Sequence, residues 1–532
     1  MTPNEPQEPK VMLIILDGWG VAPPSRRNAI SQARTPFFDS LVARYMATTL
    51  QASGIGVGLP YNEEGNSEVG HMNIGAGRIV YQFLPRITQD LRDGSFYSNP
   101  AFLSAAQHAK KHNARVHILG LFSTGNIHGS AEHVHGLLDT MKKAGVTNTV
   151  IHPFTDGKDG KNNEGAEMIQ QLISRLSSFT HTLPGTLMGR MYSLDRNNQW
   201  DLTQASYEAL CGTGSTPTTN DPVAYIKDWY QQGKTDYDLP PVIIQQNGKT
   251  IPRIQDNDAL IFTDFREDSV RQITRSFALP DDSFKGFKRN LPKNLLIATM
   301  TEYEKGLPAL VAYPPPQTEN PIASTLSKAR KRQLHVAETE KYAHVTYFFN
   351  GENEVPFPGE DRIFIRSTGG PHYETNPKMQ AATIARETTT RIDQYDFFVL
   401  NLANADMMGH TGHIDAAIQG VETIDAILYQ LIETALTFHV TVVITADHGN
   451  AELMIDPKTG SIVTSHTNNP VPFILIGKGF EQPKNTRLYQ IPPQGILADV
   501  APTILHLMGV HQPIEMTGES LLYKLIPDLQ KS

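Results

Sequence analysis

A serine set between glycines, in Gly65-Asn66-Ser67-Glu68-Val69-Gly70-His71, is the candidate nucleophile of this chain. A serine hydroxyl reacts poorly at neutral pH and needs a neighbouring base or a metal ion that favours the alkoxide. Glycines on both sides let the backbone turn sharply, and the N–H groups of a first helical turn can face a phosphoryl oxygen. The same serine could instead cap a helix, as serines commonly do. Its company decides. In Ala405-Asp406-Met407-Met408-Gly409-His410 a spacing of four puts Asp406 and His410 on one face of a helical turn, as a shared metal requires. Asp447 and His448 follow the apolar run Val440–Thr445, and they can converge only where that strand gives way to a loop. His466 comes next, in Ser465-His466-Thr467, and Asp17 closes the apolar run 11–16 near the start. Three aspartates and three histidines, nearly all at expected strand exits, point to metal binding rather than to scattered core or surface positions.

Positioning such a set takes buried strands. Residues 11–16 are a continuous apolar run ended by Asp17-Gly18-Trp19-Gly20, which suits a strand buried on both faces of a parallel sheet. In open α/β sheets ligands collect at the carboxyl ends of strands, where Asp17 sits. An aspartate beside glycine is equally an ordinary turn. Residues 396–402 and Val440–Thr445 read as further strands. With 532 residues, two domains are expected. A net charge of −9, from 46 basic and 55 acidic residues, argues against nucleic acid or an anionic membrane as the main partner. The single cysteine, Cys211, excludes an intramolecular disulfide and fits a reducing compartment. The polar, proline-bearing opening run 1–10 does not read as a secretory signal, and no apolar run approaches the ~18 residues needed to span a bilayer. The expectation is a soluble, cytoplasmic protein.

From about Phe83 helical patterns alternate with short apolar strands. Val116–Leu121, 150–154 and 259–263 each run into a polar loop, and those strand ends gather His128, Lys158, Asp159 and Arg266 in a second α/β domain. Arg190 and Arg196, six apart, fit bidentate recognition of carboxylate or phosphate better than a solvated basic face does. Surface decoration is the competing reading of each of these charges. Gly75-Ala76-Gly77 and Tyr313-Pro314-Pro315-Pro316 bound this middle region as candidate linkers, one flexible and one stiff.

Over nearly its whole length the sequence resembles the cofactor-independent phosphoglycerate mutases of the alkaline phosphatase superfamily. The resemblance is carried, in order, by Leu16-Asp17-Gly18-Trp19-Gly20, residues 65–71, Ala337-Glu338-Thr339-Glu340-Lys341-Tyr342-Ala343-His344, residues 406–410, residues 445–450 and His466-Thr467. It implies an alkaline-phosphatase-like, three-layer α/β metal domain from residues 1–80 and 316–532, with 81–315 inserted as a transferase-like α/β domain. It further implies one divalent ion on Asp406, His410 and His466 and a second on Asp17, Ser67, Asp447 and His448. Manganese is the ion expected from the family, while a mixed carboxylate and imidazole set admits zinc, cobalt or iron as well. No 2,3-bisphosphoglycerate is expected, and a monomer is.

The implied reaction interconverts 3- and 2-phosphoglycerate, in glycolysis and gluconeogenesis, through a phosphoserine at Ser67. Lys341 would offset charge on the phosphoryl oxygens. The inserted domain would grip the glycerate through His128, Asp159, Arg190, Arg196 and Arg266, with Asp159 moving protons between the hydroxyls. Two positions and one loop depart from the family pattern, the loop before His128 reading Ser123-Thr124-Gly125-Asn126 where the family has a more acidic, glycine-rich form. Lys158 stands where an arginine usually precedes the carboxylate, keeping the charge but losing the bidentate fork, and Ser269 stands where a second arginine would follow Arg266. Arg271 or Arg275 is the expected source of compensating charge. The alternatives are a metal-dependent phosphohydrolase or a mutase for another small phosphorylated acid on the same scaffold, and a non-catalytic descendant. A sulfatase is disfavoured, because Cys211 lies away from every metal motif.

Overall fold

The computed structural model describes residues 8–246, 248–250, 253–316, 318–483 and 487–526; residues 1–7 of the opening run lie outside the described residues. The chain forms two compact units, Met1–Gln82 with Pro316–Ser532, and Phe83–Pro315.

The first unit is built on an eight-stranded sheet in the order Glu360–Ile365, Gln333–Glu338, Phe397–Leu402, Lys10–Leu16, Val440–Thr445, Val471–Ile476, Met46–Gln51, Gly495–Ile496. Residues 11–16 are wholly buried, as expected of an apolar run without alternation at the centre of a sheet covered on both faces. Lys10–Leu16 runs parallel to both neighbours, with Leu16 opposite Leu402 and Ile15 opposite Thr445. This register brings three strand exits level, so that Asp17, the helix Asn404–Thr411 and the Asp447 loop begin side by side. Gln333–Glu338, parallel to Phe397–Leu402, exits into the short turn Thr339–Lys341 at the same edge. Val471–Ile476 returns antiparallel to Val440–Thr445, and the long loop between them carries both Asp447 and His466. Gly18 makes the turn after Asp17 possible: its φ is +70°, and a Cβ there would lie 2.6 Å from the Asp406 backbone.

The second unit has a mainly parallel sheet in the order Leu310–Tyr313, Leu296–Thr301, Ala259–Phe262, Val116–Leu121, Thr149–Thr155, Thr186–Gly189, Val242–Gln246, Thr218–Thr219. Val116–Leu121 lies between Ala259–Phe262 and Thr149–Thr155 and is parallel to both. The loops after these strands and the short helix Arg190–Ser193 after Thr186–Gly189 therefore share one edge. Among the described residues no helix is long and apolar enough to cross a membrane.

Gly75-Ala76-Gly77 is not a linker. Gly75 lies within the helix Ser67–Ala76, Gly77 is its left-handed cap, and the units divide between Gln82 and Phe83. The glycine at 75 answers to packing, since a Cβ there would meet the Phe349 carbonyl oxygen at 2.0 Å.

Three loops of the first unit are tied by one buried carboxylate. Glu452 accepts hydrogen bonds from Gly20 N at 3.1 Å, Asn450 N at 2.8 Å, Asn469 Nδ2 at 2.9 Å and Thr467 Oγ1. Burial pushes its pKa up, and these donors work against that rise. Glu452→Ala would strand several buried donors, at a cost of roughly 3 kcal/mol or more, read as a lower thermal unfolding midpoint. Glu452→Gln, which keeps one acceptor, should lower it less. An unchanged midpoint in the alanine variant would show that the loops do not depend on this tie.

Candidate active site

In the first unit Ser67 is the first residue of the helix Ser67–Ala76, and the cap is its neighbour: the Asn66 side chain accepts from Val69 N. The serine hydroxyl is thus free of capping duty. Its Oγ lies 2.7 Å from Lys341 Nζ, 2.9 Å from His448 Nε2 and 3.4 Å from Asp17 Oδ1. Lys341, 4 % exposed, also donates to Asp17 Oδ1 and Asp406 Oδ2, both at 2.7 Å. Asp17, Asp447 and His448 offer ligand atoms within 4.8 Å of one another, as do Asp406, His448 and His466. His410 joins the second group, its Nε2 being 3.2 Å from Asp406 Oδ1 and 3.0 Å from His466 Nε2.

The donor chemistry fits metal ions. His410 Nδ1 donates to the Thr464 carbonyl at 2.8 Å and His466 Nδ1 to the Gly65 carbonyl at 2.8 Å. Each ring then turns an Nε2 lone pair inward, and two facing lone pairs at 3.0 Å require a proton or a cation between them. Asp447 Oδ2 is buried without a hydrogen bond, 3.1 Å from His71 Nδ1 and 3.5 Å from His448 Nε2. Electrostatics agree. Burial, with Asp447 and Asp406 close by, pushes the Asp17 carboxyl up to about 7. Burial also works against ionisation of Asp406, but Lys341, His410 and His466 outweigh it and hold that pKa well below the carboxylate range. Asp447 is lowered too, by His448, His71 and Lys341 against its burial. Burial takes His448 down to about 4, leaving it neutral at physiological pH, as a metal ligand must be.

Residues that the sequence did not single out orient this set. Asn401 Nδ2 donates to Asp17 Oδ2 at 2.6 Å and to His71 Nε2 at 3.0 Å, while His71 Nδ1 donates to the Ser67 carbonyl at 2.9 Å. Asn450 Nδ2 donates to Asp406 Oδ1 at 2.9 Å. A buried asparagine near the end of the apolar run Phe397–Leu402 was the readable signal for the first of these.

In the second unit Arg190, 6 % exposed, donates through Nη1 to Asp156 Oδ1 at 2.6 Å and Asp159 Oδ1 at 2.8 Å, and His128 Nδ1 donates to Asp159 Oδ2 at 2.6 Å. Burial opposes ionisation of Asp159, but His128 and Arg190 hold its pKa below the ordinary value, so it starts as an anion able to accept a proton. Arg196 and Arg266 share one carboxylate: Arg196 Nη1 lies 2.5 Å from Asp268 Oδ2 and Arg266 Nε 3.3 Å from Asp268 Oδ1. Both arginine side chains are about half exposed, at 49 % and 47 %. Lys158 is exposed, and its backbone N–H donates to Asp156. Ser269 is buried, its hydroxyl without a hydrogen bond. Arg271 and Arg275 do not fill its place. At 100° per residue they lie on another face of the helix Glu267–Ala278, where Arg271 donates to the Tyr303 carbonyl and Arg275 pairs with Glu304.

Residues 9–512 match the Metalloenzyme superfamily, and the chain is a mixed α/β metalloenzyme. Its sequence is 44 % identical over 520 residues to the 2,3-bisphosphoglycerate-independent phosphoglycerate mutase of Thermomicrobium roseum, covering 97 % of this chain and 98 % of that one. Identity to the enzyme of the same name from Clostridium perfringens is 42 % over 517 residues, covering 97 % and 99 %. A crystal structure of Leishmania mexicana phosphoglycerate mutase at low cobalt concentration is similar at a TM-score of 0.55 and 26 % identity, over 97 % of this chain and 98 % of that one. The chain belongs to the 2,3-bisphosphoglycerate-independent phosphoglycerate mutases, a family of isomerases.

Beneath the Arg190 cluster lies a carboxyl with its own pH signature. Asp264 is fully buried, and burial takes it up to about 7 although Leu121 N donates to it. A folded pKa above the unfolded one stabilises the fold fully below about pH 4, and that contribution is lost as pH rises towards 7. Asp264→Asn, which has no proton to lose, should therefore gain on wild type as pH rises, its advantage in stability being larger at pH 8 than at pH 4 by on the order of a few kcal/mol. Denaturant unfolding at the two pH values checks this, and equal differences at both would refute it.

Proposed function

We propose that this chain interconverts 3-phosphoglycerate and 2-phosphoglycerate through a phosphoserine at Ser67. The observation that carries the reading is the Ser67 hydroxyl itself, uncapped, 2.7 Å from Lys341 Nζ and 2.9 Å from His448 Nε2 within a ring of buried carboxylates. Asp406, His410 and His466 would hold one divalent ion, and Asp17, Ser67, Asp447 and His448 a second. When bound, such ions lower the pKa of the serine hydroxyl and offset charge on a phosphoryl group. Manganese is the proposed metal. The donor set accepts zinc, cobalt or iron as well, and cobalt is named for the Leishmania mexicana protein. Membership of a bisphosphoglycerate-independent family fits a reaction in which the phosphoryl group is carried by the protein.

The residues divide the work. Ser67 Oγ attacks phosphorus in line, the bond to O3 of glycerate breaks, and Lys341 stabilises the charge on the transferring group. Arg190, Arg196, Arg266, His128 and Lys158 are proposed to hold the glycerate by its carboxylate and hydroxyls. Asp159, ionised at rest, takes the proton of the 2-hydroxyl and passes it to O3. The 2-alkoxide then attacks the phosphoserine, yielding 2-phosphoglycerate and restoring Ser67. The small phosphoglycerate is the only partner proposed, with the chain acting as a monomer in the cytoplasm.

A second reading, hydrolysis or mutation of another small phosphorylated acid, is favoured by Lys158 and by the buried Ser269, which leave fewer bidentate contacts for the glycerate. Incubating the manganese-loaded protein with 3-phosphoglycerate, and following 2-phosphoglycerate and orthophosphate together, separates the two. Isomerisation with almost no free phosphate is expected, and orthophosphate released in step with substrate loss would overturn the mutase. Ser67→Ala should lower kcat by roughly a thousandfold or more. Chelation should abolish turnover until manganese is restored. Turnover by the alanine variant at the wild-type rate would end the phosphoserine mechanism.

A further inference from the structure

The proposed reaction gives Asp156 no step, yet its carboxylate is 2 % exposed and accepts five hydrogen bonds. Oδ1 receives Lys158 N at 3.2 Å, Asp159 N at 3.1 Å and Arg190 Nη1 at 2.6 Å. Oδ2 receives Gly160 N at 2.8 Å and Ser123 Oγ at 2.5 Å. Three of these donors are the backbone of the loop that bears Asp159, so Asp156 fixes where that carboxylate stands. The fourth, Arg190 Nη1, is the same nitrogen that donates to Asp159 Oδ1 at 2.8 Å. Nη1 carries two N–H groups, one for each carboxylate, so what the two share is the guanidinium's charge, and a second anion nearby disfavours the ionised form of the first.

We propose that Asp156 is the positioning residue of Asp159, holding its loop in place and drawing off part of Arg190, so that Asp159 stays basic enough to move a proton between the glycerate hydroxyls. This rests on the reading of Asp159 as the proton carrier. The charged and titratable groups around Asp159 are His128 from the loop after Val116–Leu121, Asp156 and the exposed Lys158 from its own loop, and Arg190 from the short helix Arg190–Ser193. Glu164 accepts from Thr124 just before the helix Gly165–Leu176, and Asp264 lies buried after Ala259–Phe262. Of these, Asp156 alone both grips the loop backbone and shares the Arg190 nitrogen.

Two variants test the idea in opposite senses. Asp156→Asn keeps the shape but removes the charge. Arg190 then turns wholly to Asp159, whose carboxyl should titrate at lower pH, with kcat falling about tenfold to a hundredfold and KM changing far less. Ser123→Ala leaves the Asp156 charge but removes one of its donors. Asp156 should then take more of Arg190, and Asp159 should titrate at higher pH. The readouts are carboxyl carbon NMR of the full chain, with Asp159→Asn identifying the signal, and steady-state kinetics of the manganese-loaded enzyme. An Asp159 titration unmoved in both variants overturns the positioning role. Should Asp156→Asn fail to fold, Ser123→Ala alone still decides. If Asp159→Asn turns over at the wild-type rate, the proton-carrier reading falls instead, and that outcome is distinct because the NMR titration does not depend on activity.

Discussion

Three aspartates with their carboxylates buried in one place, against a single ammonium group, are the constraint on which the first unit turns. Asp17, Asp406 and Asp447 are at most 1 % exposed, and the buried cation among them is Lys341. Carboxylates taken out of water must be paired or must give up their charge. Here the imbalance shows in the titration: the pKa of Asp17 rises to about 7 while Asp406 and Asp447 stay low. The fold accepts this frustration by bringing parallel strand exits level and fixing two of the three carboxylates with a neutral side-chain donor, Asn401 on Asp17 and Asn450 on Asp406. Formal charge makes the logic plain. Three carboxylates and one ammonium leave −2, a first divalent ion cancels it, and a second leaves +2 to meet a phosphoryl dianion. The protein alone is therefore an incomplete electrostatic object, and its completion is what a phosphoryl group would recognise.

The second unit solves the opposite problem. Two of its carboxylates, Asp156 and Asp159, are met by Arg190 and by a ring of backbone and hydroxyl donors, so this cluster carries its own cation. Towards solvent, Arg196 and Arg266 share Asp268 and keep about half of their surface free. A guanidinium held by one contact to a carboxylate keeps its remaining N–H groups for another, and being already placed lowers the entropic cost of gripping a small acid. The two units thus differ in kind, one organised around missing positive charge and the other around positive charge held ready.

Much of this could be read from the chain before its structure was known, because the signals were local. An unbroken apolar run ending in aspartate announces a buried strand with a polar exit, and a spacing of four announces one helical face. Those rules placed Asp17, Asp406 and His410. What could not be read was long-range. That Asn66 rather than Ser67 caps the helix depends on which side chain turns back, and both residue types are good caps. The glycine at 75 looked like a hinge because a sequence does not show the Phe349 carbonyl packed against it. The face on which Arg271 and Arg275 fall follows from helical geometry, but their partners at 303 and 304 lie about thirty residues further along the chain. Asp156 was passed over for a related reason. Its importance lies in five donors from three segments, and no spacing rule reports on those.

The departures from the family pattern at Lys158 and Ser269 bear on what separates a mutase from a phosphatase on one scaffold. On the proposed mechanism both would attack phosphorus with Ser67, and they would differ in whether the dephosphorylated acid is still held when the phosphoserine is ready to react. Retention is a matter of how firmly the acid is gripped. At 158 the backbone is pinned by Asp156 while the side chain stands in solvent, so the charge is delivered to a fixed place by a flexible stem that lacks the two-pronged geometry of arginine. At 269 the serine faces inward, and its position contributes no charge at all. On the proposed reading the burden of retention therefore moves to Arg190, Arg196 and Arg266. Of these only Arg190 is locked by buried partners, Asp156 and Asp159, and the second of these is the proposed proton carrier. On the proposed reading, holding the acid and moving its proton both depend on one guanidinium in this chain, so a change that weakens either function should be felt in the other.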